Sequence, residues 1–280
     1  MRAAQYNSYG GPEVVEVNPD AAKPTLKDGH ILVEVHAASL NPFDVKVRRG
    51  YMKEMIPLNF PVTISGDFSG TVAEVGEGST DLAVGDAVFG QGIIVGGGSG
   101  SLAEFVSTSV KKVARKPSNL SDEEAASLVL VGASAIQALE EHIDLQTGQK
   151  ILIQGGVGGI GSIAVQLAKH LGAYVVTTVG SDDVEFAKEL GADEVIDYKT
   201  QKFEDTVKEF DAVFDTVGGE TLEKSVRVLK RSGILVSMVG PADEASVAER
   251  GITMIAQDSR VTTDRLNKLR ELIEEGVIKP

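Results

Sequence analysis

The residues with the plainest chemical promise are glycines. Gln154-Gly155-Gly156-Val157-Gly158-Gly159-Ile160-Gly161 sets Gly156, Gly158 and Gly161 at G-x-G-x-x-G spacing, directly after the apolar run Ile151-Leu152-Ile153. Beyond it, Ile160, Ile163, Ala164, Leu167, Ala168 and Leu171 fall on one helical face. In a strand–turn–helix of this kind the first glycine permits the tight turn and the second lets backbone approach a pyrophosphate. The third lets helix pack on strand, and the helix N-terminus attracts the phosphates. The expected ligand is a dinucleotide, held by the backbone from Gly156 through Val157, Gly158, Gly159 and Ile160 to Gly161.

Which dinucleotide depends on the next strand, Tyr174 to Val179. A site for NAD places a carboxylate at its end, about 20 residues past the glycines, to hold the ribose hydroxyls. Here Thr177-Thr178-Val179-Gly180-Ser181 puts Val179 at that point. Small residues leave room for a 2′-phosphate, with Thr178 and Ser181 as candidate contacts. Asp182 and Asp183 follow at once, and carboxylates beside a phosphate are unfavourable. The signs conflict, so NADPH is the expectation and NADH stays open.

The elements that must position this turn come in two rhythms. Before residue 120 the chain reads as strands: Ile31 to Ala37, Gly70 to Gly76, and Val84 to Gly90. Gly92 to Gly100 holds five glycines in nine residues, and two readings stand side by side, a mobile lid near a cleft or a plain surface loop. Ser121 and Glu124 have the spacing of a capping box and open a helix. From there strands at 151–153, 174–179, 195–196, 212–214 and 234–236 alternate with helices at 184–190 and 221–229, before a final helix near 263–275. The expected fold class is α/β: a β-rich domain over 1–120, a doubly wound parallel sheet over 121–262, and a last helix and return segment over 263–280.

A chain of 280 residues is long for one core, which favours two domains. The net charge of −14 argues against nucleic acid and against an anionic membrane surface. No segment has transmembrane length, and the N-terminus lacks the apolar run of a secretion signal. With no cysteine, disulfides and thiolate zinc ligands are excluded, and a cytoplasmic location is the default.

Several further segments, in order, resemble the zinc-independent quinone oxidoreductases of the medium-chain dehydrogenase/reductase superfamily. They are Ala38-Ser39-Leu40-Asn41-Pro42-Phe43-Asp44-Val45-Lys46, Gly66-Asp67-Phe68-Ser69-Gly70, Val84 to Gly90, Leu102 to Val106, Gly159 to Lys169, Leu190 to Tyr198 and Val213 to Gly219. The resemblance spans essentially the whole chain. It implies a GroES-like β-rich catalytic domain followed by a Rossmann domain, an active site in the cleft between them, and a homodimer. It also implies reduction of enones, enals or quinones, often with NADPH.

Carried over residue by residue, the resemblance puts Asn41, Lys46 and Ser134 near the nicotinamide. Val217, Val239 and Gly240 would line its ribose, and Tyr198 would lie on the adenine side near the 2′-phosphate. Asn41 bonding within its turn, and Tyr198 as an exposed strand end, remain the plainer alternatives. The chain departs from the superfamily in three places. Gly66-Asp67-Phe68 stands where zinc alcohol dehydrogenases carry Gly-His-Glu, and Asp182 stands where NADPH-using relatives carry Lys or Arg. The chain also stops at Pro280, whereas relatives continue for a helix and a strand. It is then either a piece of a longer chain or a naturally short relative.

Without zinc, oxidation of a simple alcohol is disfavoured, because its proton is about as weakly acidic as that of water, pKa about 15.7. Quinones and α,β-unsaturated carbonyls instead spread the charge that a hydride brings. The expected activity is metal-free hydride transfer to such an acceptor. Tyr51 is the candidate proton donor and Lys46 its helper, with Tyr51 as a lid-packing aromatic the alternative. Phe43, Met52, Met55 and Phe60 are candidate pocket walls or core. The competing functions are a non-catalytic dinucleotide-binding redox sensor or scaffold, and a zinc-free alcohol or aldehyde reductase.

Overall fold

A computed structural model of the chain describes residues 1–78 and 81–280. It divides into two compact units, Met1–Leu130 with Val261–Glu274 and Pro280, and Val131–Arg260 with Glu275–Lys279.

The first unit is built on antiparallel sheets. Strands β1 (Ala3–Tyr6), β2 (Val15–Asn18) and β3 (His30–Ser39) are followed by helix α1 (Pro42–Arg48), then β4 (Val62–Thr63), β5 (Asp67–Val75), β6 (Ala87–Gln91), β7 (Phe105–Ser109) and β8 (Val113–Arg115). They form a five-stranded sheet in the order β7-β3-β5-β6-β8 and a three-stranded sheet in the order β2-β1-β4. Alternating inward residues Ile31, Val33, Phe68, Val72, Val88, Val106 and Val113 make one core, as period-2 side-chain geometry requires. The Pro at the start of α1 suits a position whose N–H has no partner within the helix, and the Asp44 carboxylate accepts the Asn41 N–H at 2.7 Å.

Helix α2 (Asp122–Ile136) opens as its capping box demands: the Ser121 N–H donates to Glu124 Oε2 at 2.8 Å and the Glu124 N–H to Ser121 Oγ at 3.2 Å. A π-helical turn, Gln137–His142, continues it. The first unit keeps the start of α2, so the boundary falls at 130/131 rather than 120/121. The reason is polar anchoring: Asp122 takes bonds from Ser69 Oγ at 2.7 Å and His36 Nδ1 at 3.1 Å, and the Leu130 N–H donates to Asp67 Oδ2 at 3.1 Å.

The second unit alternates β9 (Lys150–Gln154), α3 (Gly159–His170), β10 (Tyr174–Val179), α4 (Val184–Glu189), β11 (Glu194–Asp197), α5 (Phe203–Thr206), β12 (Phe210–Asp215), α6 (Glu220–Val228), β13 (Leu229–Ser237), α7 (Glu244–Arg250) and β14 (Thr253–Ala256). All six strands pair in parallel, in the order β11-β10-β9-β12-β13-β14. The order reverses between β9 and β12, so the crevice that a doubly wound sheet offers a ligand lies at their carboxyl ends. A cluster including Leu152, Val176, Val213, Leu222, Leu229 and Leu235 buries one face of the sheet. Helix α8 (Thr263–Glu274) returns to the first unit, where Thr263 Oγ1 donates to the carbonyls of Val110 and Val113 at 3.0 and 2.9 Å.

Candidate functional site

The glycine turn joins β9 to α3 at the point where the strand order reverses. Gly155 takes φ +76°, a left-handed backbone that glycine adopts without strain. A methyl on Gly156 would overlap the Thr177 hydroxyl, and one on Gly161 would overlap the Gly155 carbonyl. These two glycines therefore permit internal close packing. Gly158 and Gly159 differ: both are exposed, and a methyl there would find its nearest neighbours at 3.3 Å. No side chain caps α3, so the first N–H groups of the helix face outward without partners inside it. Val157 and Ile160 are half-buried beside them. This cradle fits a dinucleotide pyrophosphate, which needs backbone donors, a positive helix end and close approach.

Buried polar groups hold the turn in place. Gln154 is fully buried, donates to Ser225 Oγ at 3.1 Å and accepts from Thr178 Oγ1 at 2.6 Å. Thr178 Oγ1 in turn accepts the Gly155 N–H at 3.2 Å. Thr178 is 3% exposed, so its hydroxyl buttresses the turn from behind.

At the end of β12, burial holds the Asp215 carboxyl above the usual carboxylate range, although it accepts from the N–H groups of Val217 and Gly218 and from Ser237 Oγ. The bonds shape the loop so that Val217 stands out of it, 52% exposed, and Val239 at the end of β13 stands 50% exposed. A methyl on Gly218 would meet Val239 at 2.7 Å, and one on Gly155 would meet Val217 at 3.2 Å. Val217, Val239 and the turn thus share one side, and Gly240 lies beside them in an open groove with Gly219, Leu222, Glu223 and Pro241. Ser134 does not join this surface. It is fully buried, and its hydroxyl donates to Ser259 Oγ at 2.8 Å.

On the other side of the turn, Ser181 Oγ donates to Asp197 Oδ2 at 2.7 Å. The hydroxyl proton is committed to the end of β11, and Asp197 is correspondingly held below the usual carboxylate range. Tyr198 is exposed, as a contact to an adenosine would require. Lys199, which the sequence pattern does not single out, stands with its Nζ 3.6 Å from Asp182 Oδ2. Its only signal is the sheet order, which brings the end of β11 beside the end of β10.

In the first unit, Asn41 Nδ2 donates to Asp67 Oδ2 at 2.8 Å, and Gln91 Nε2 to Asp67 Oδ1 at 3.1 Å. Burial pushes the Asp67 carboxyl up to about 7 against the pull of these donors, and burial also pushes Asp44 up to about 6. Sequence spacing carried no hint of this cluster, because its members lie on α1, β5 and β6. Lys46 and Tyr51 are both exposed, with the Tyr51 N–H donating to the Lys46 carbonyl at 3.1 Å. Met55 and Leu40 are also exposed, at 74% and 63%. Phe60 is exposed on one side and packs edge-on against Tyr6 and Tyr9 on the other, and Phe43 and Met52 are half-buried.

The oxygens of Asp67 already accept three hydrogen bonds, there is no cysteine, and no three His, Asp or Glu gather among the described residues. The Gly92–Gly100 loop is not lid-like. The Gly92 N–H donates to the Gly66 carbonyl at 2.7 Å, the Gly100 N–H to Gly92 at 2.8 Å and the Ser99 N–H to Ser107 at 3.1 Å, so its backbone is tied down. Among the described residues, no helix is long and apolar enough to cross a membrane.

Comparison with known proteins agrees with this geometry. Residues 27–118 match the alcohol dehydrogenase GroES-like domain, and residues 159–275 match the zinc-binding dehydrogenase family. The chain is 37% identical to a tomato (Solanum lycopersicum) protein named 2-methylene-furan-3-one reductase, over 100% of its own length and 71% of that protein. It is 34% identical, with the same coverage, to the chloroplastic NADPH-dependent alkenal/one oxidoreductase of Arabidopsis thaliana. The solved quinone oxidoreductase from Coxiella burnetii superposes with a TM-score of 0.90 at 32% identity, covering 100% of this chain and 89% of that one.

Proposed function

We propose that this chain, which belongs to the zinc-independent quinone oxidoreductase branch of the medium-chain dehydrogenase/reductase superfamily, reduces α,β-unsaturated carbonyls or quinones with NADPH and without zinc. The observation that carries the reading is the open cradle of Gly158 and Gly159 at the switch point of the parallel sheet. The name of the Arabidopsis relative, an NADPH-dependent alkenal/one oxidoreductase, supports both cofactor and acceptor.

When bound, the reduced nicotinamide supplies a hydride, which acceptors able to delocalise charge take up without a metal. The chain's own residues do the rest. The first turn of α3 binds the pyrophosphate, while Val217 and Val239 present apolar surface to the nicotinamide end and exclude water from it. Asn41, whose amide is fixed by its bond to Asp67, positions groups beside α1. The exposed Tyr51 hydroxyl holds a proton for the reduced product, with Lys46 alongside. Exposed Leu40 and Met55 offer apolar contact to the acceptor's hydrocarbon.

The test follows oxidation of NADPH and of NADH by the purified protein with a quinone, an enone and a primary alcohol. Turnover with enone or quinone is the expected result. Turnover of the alcohol alone overturns the acceptor class, and cofactor binding with no acceptor reduced points to a sensor in place of an enzyme.

A further inference from the structure

We infer that Lys199, reaching over from the turn after β11, is the cation that selects the 2′-phosphate of NADPH, replacing the basic residue that this chain lacks at Asp182, just after β10. This rests on the dinucleotide reading above and adds the residue that decides between its two cofactors.

Three observations converge on Gly180, the residue that follows β10. A methyl placed there would stand 3.5 Å from Lys199 Cε, 3.5 Å from the Tyr198 hydroxyl and 3.5 Å from an Asp183 carboxylate oxygen. The missing side chain therefore opens a space that a cation, a phenol and an acid surround. The backbone that carries Lys199 is fixed, because its N–H donates to Asp197 Oδ1 at 2.9 Å while Asp197 Oδ2 holds Ser181 at 2.7 Å. Only the flexible stem of the lysine remains to move. Its partner Asp182 is 3.6 Å away, and both side chains are exposed, at 51% and 93%. A solvent-exposed ion pair of this kind is worth little, so the ammonium can leave Asp182 for a phosphate dianion, which binds it more strongly.

The same geometry removes the nearer candidate. Ser181 already donates its proton to Asp197, and lysine and the Tyr198 hydroxyl are the side-chain donors that flank Gly180 among the described residues. Asp182 then acts as a competitor for Lys199, and as a like charge to the phosphate.

The test is fluorescence titration of the full chain with NADPH and with NADH, for wild type and for Lys199→Ala, Lys199→Arg and Asp182→Asn. Lys199→Ala is expected to weaken NADPH by tenfold or more while NADH stays within twofold, Lys199→Arg to restore NADPH, and Asp182→Asn to tighten it. The unchanged NADH affinity shows that the variant is folded. If NADPH binds wild type and Lys199→Ala equally, or if both cofactors weaken together, the assignment fails and the dinucleotide reading survives. If wild type binds neither cofactor, the dinucleotide reading itself fails and takes the assignment with it.

Discussion

Two glycine-rich stretches, 92–100 in the first unit and 155–161 in the second, look alike as strings of letters and differ in what surrounds most of their glycines. Around Gly92, Gly98 and Gly100 a side chain would overlap Val106, the Gly92 backbone and the Thr63 carbonyl, all parts of the same unit. At 155–161 two glycines are filled from inside in the same way, but Gly158 and Gly159 are exposed, and a methyl on either would meet one neighbour, at 3.3 Å. Glycine marks a place where backbone needs room or takes a left-handed turn. What the comparison teaches is that the room can be taken by the chain itself or left for a ligand, and only the three-dimensional neighbours distinguish the two.

The sharpest way to break the comparison is to add a methyl where the turn is filled from within. Gly161→Ala pushes Cβ into the Gly155 carbonyl, a backbone atom that cannot swing aside. The expected loss is about 3 kcal/mol or more of unfolding free energy, at the upper end of overpacking costs, with dinucleotide binding lost as well. Denaturant melts and cofactor titration read both. A stable variant that still binds would mean the third glycine is not needed for helix–strand packing.

Gly98→Ala comes next. Its Cβ would overlap the carbonyl group of Gly92, so about 2–3 kcal/mol of stability should go. Because the overlap lies within the first unit, away from the glycine turn of α3, the dissociation constant for NADPH should stay within twofold in the surviving folded fraction. A large loss of affinity with little loss of stability would turn the loop back into a functional element.

Smaller again is the effect of pH on the closed loop. Asp67 accepts from Gln91, the residue before Gly92, and its carbonyl accepts from Ser101 Oγ at 3.0 Å just after Gly100. Its folded pKa is raised from 3.8 to about 7. A carboxyl raised in this way contributes stability that is present in full below its unfolded value and is lost as pH climbs through about 7. Between pH 6 and 8 the loss should be on the order of 1 kcal/mol, since a proton held only by the folded state makes stability fall by about 1.4 kcal/mol for each step of one in pH. Hydrogen exchange, corrected for its intrinsic pH dependence, should show protection falling at 92–101 and not at 155–161. Asp67→Asn should flatten the difference.

The same contrast explains what could be read from the sequence. Features set by neighbours in the chain were legible: the Ser121–Glu124 cap, the alternation of apolar strands with helices, and the glycine turn all follow from local spacing. Short elements such as α1, α7 and β14 carry too few residues to show a period. Groups assembled across the fold were not legible. Asp67 meets Asn41 and Gln91 from 26 and 24 residues away, and Lys199 reaches Asp182 only because β11 lies beside β10. Ser134, Thr178 and Ser181 have suitable chemistry at suitable positions. Each has its hydroxyl engaged by a protein partner, which spacing alone does not reveal.

The finest test acts on the open side of the comparison. Gly158→Ala adds a methyl whose nearest neighbour, the Gly155 carbonyl, lies 3.3 Å away. The backbone there has φ −70° and ψ 165°, an extended conformation that alanine accepts without strain. Gly158 is the N-cap of α3, where alanine is poorer than glycine, and the carbonyl must give slightly, so stability should fall by only about 0.5–1 kcal/mol. The new methyl does occupy the space through which a pyrophosphate approaches the first turn of α3, so NADPH and NADH should both weaken by about tenfold, roughly 1.4 kcal/mol. Equal weakening is the informative part. It separates this position, which touches what the two cofactors share, from Lys199, which should touch only what they do not. If Gly158→Ala bound both cofactors as wild type does, the open side would be empty space and no cradle, and the distinction between the two glycine stretches would lose its functional meaning.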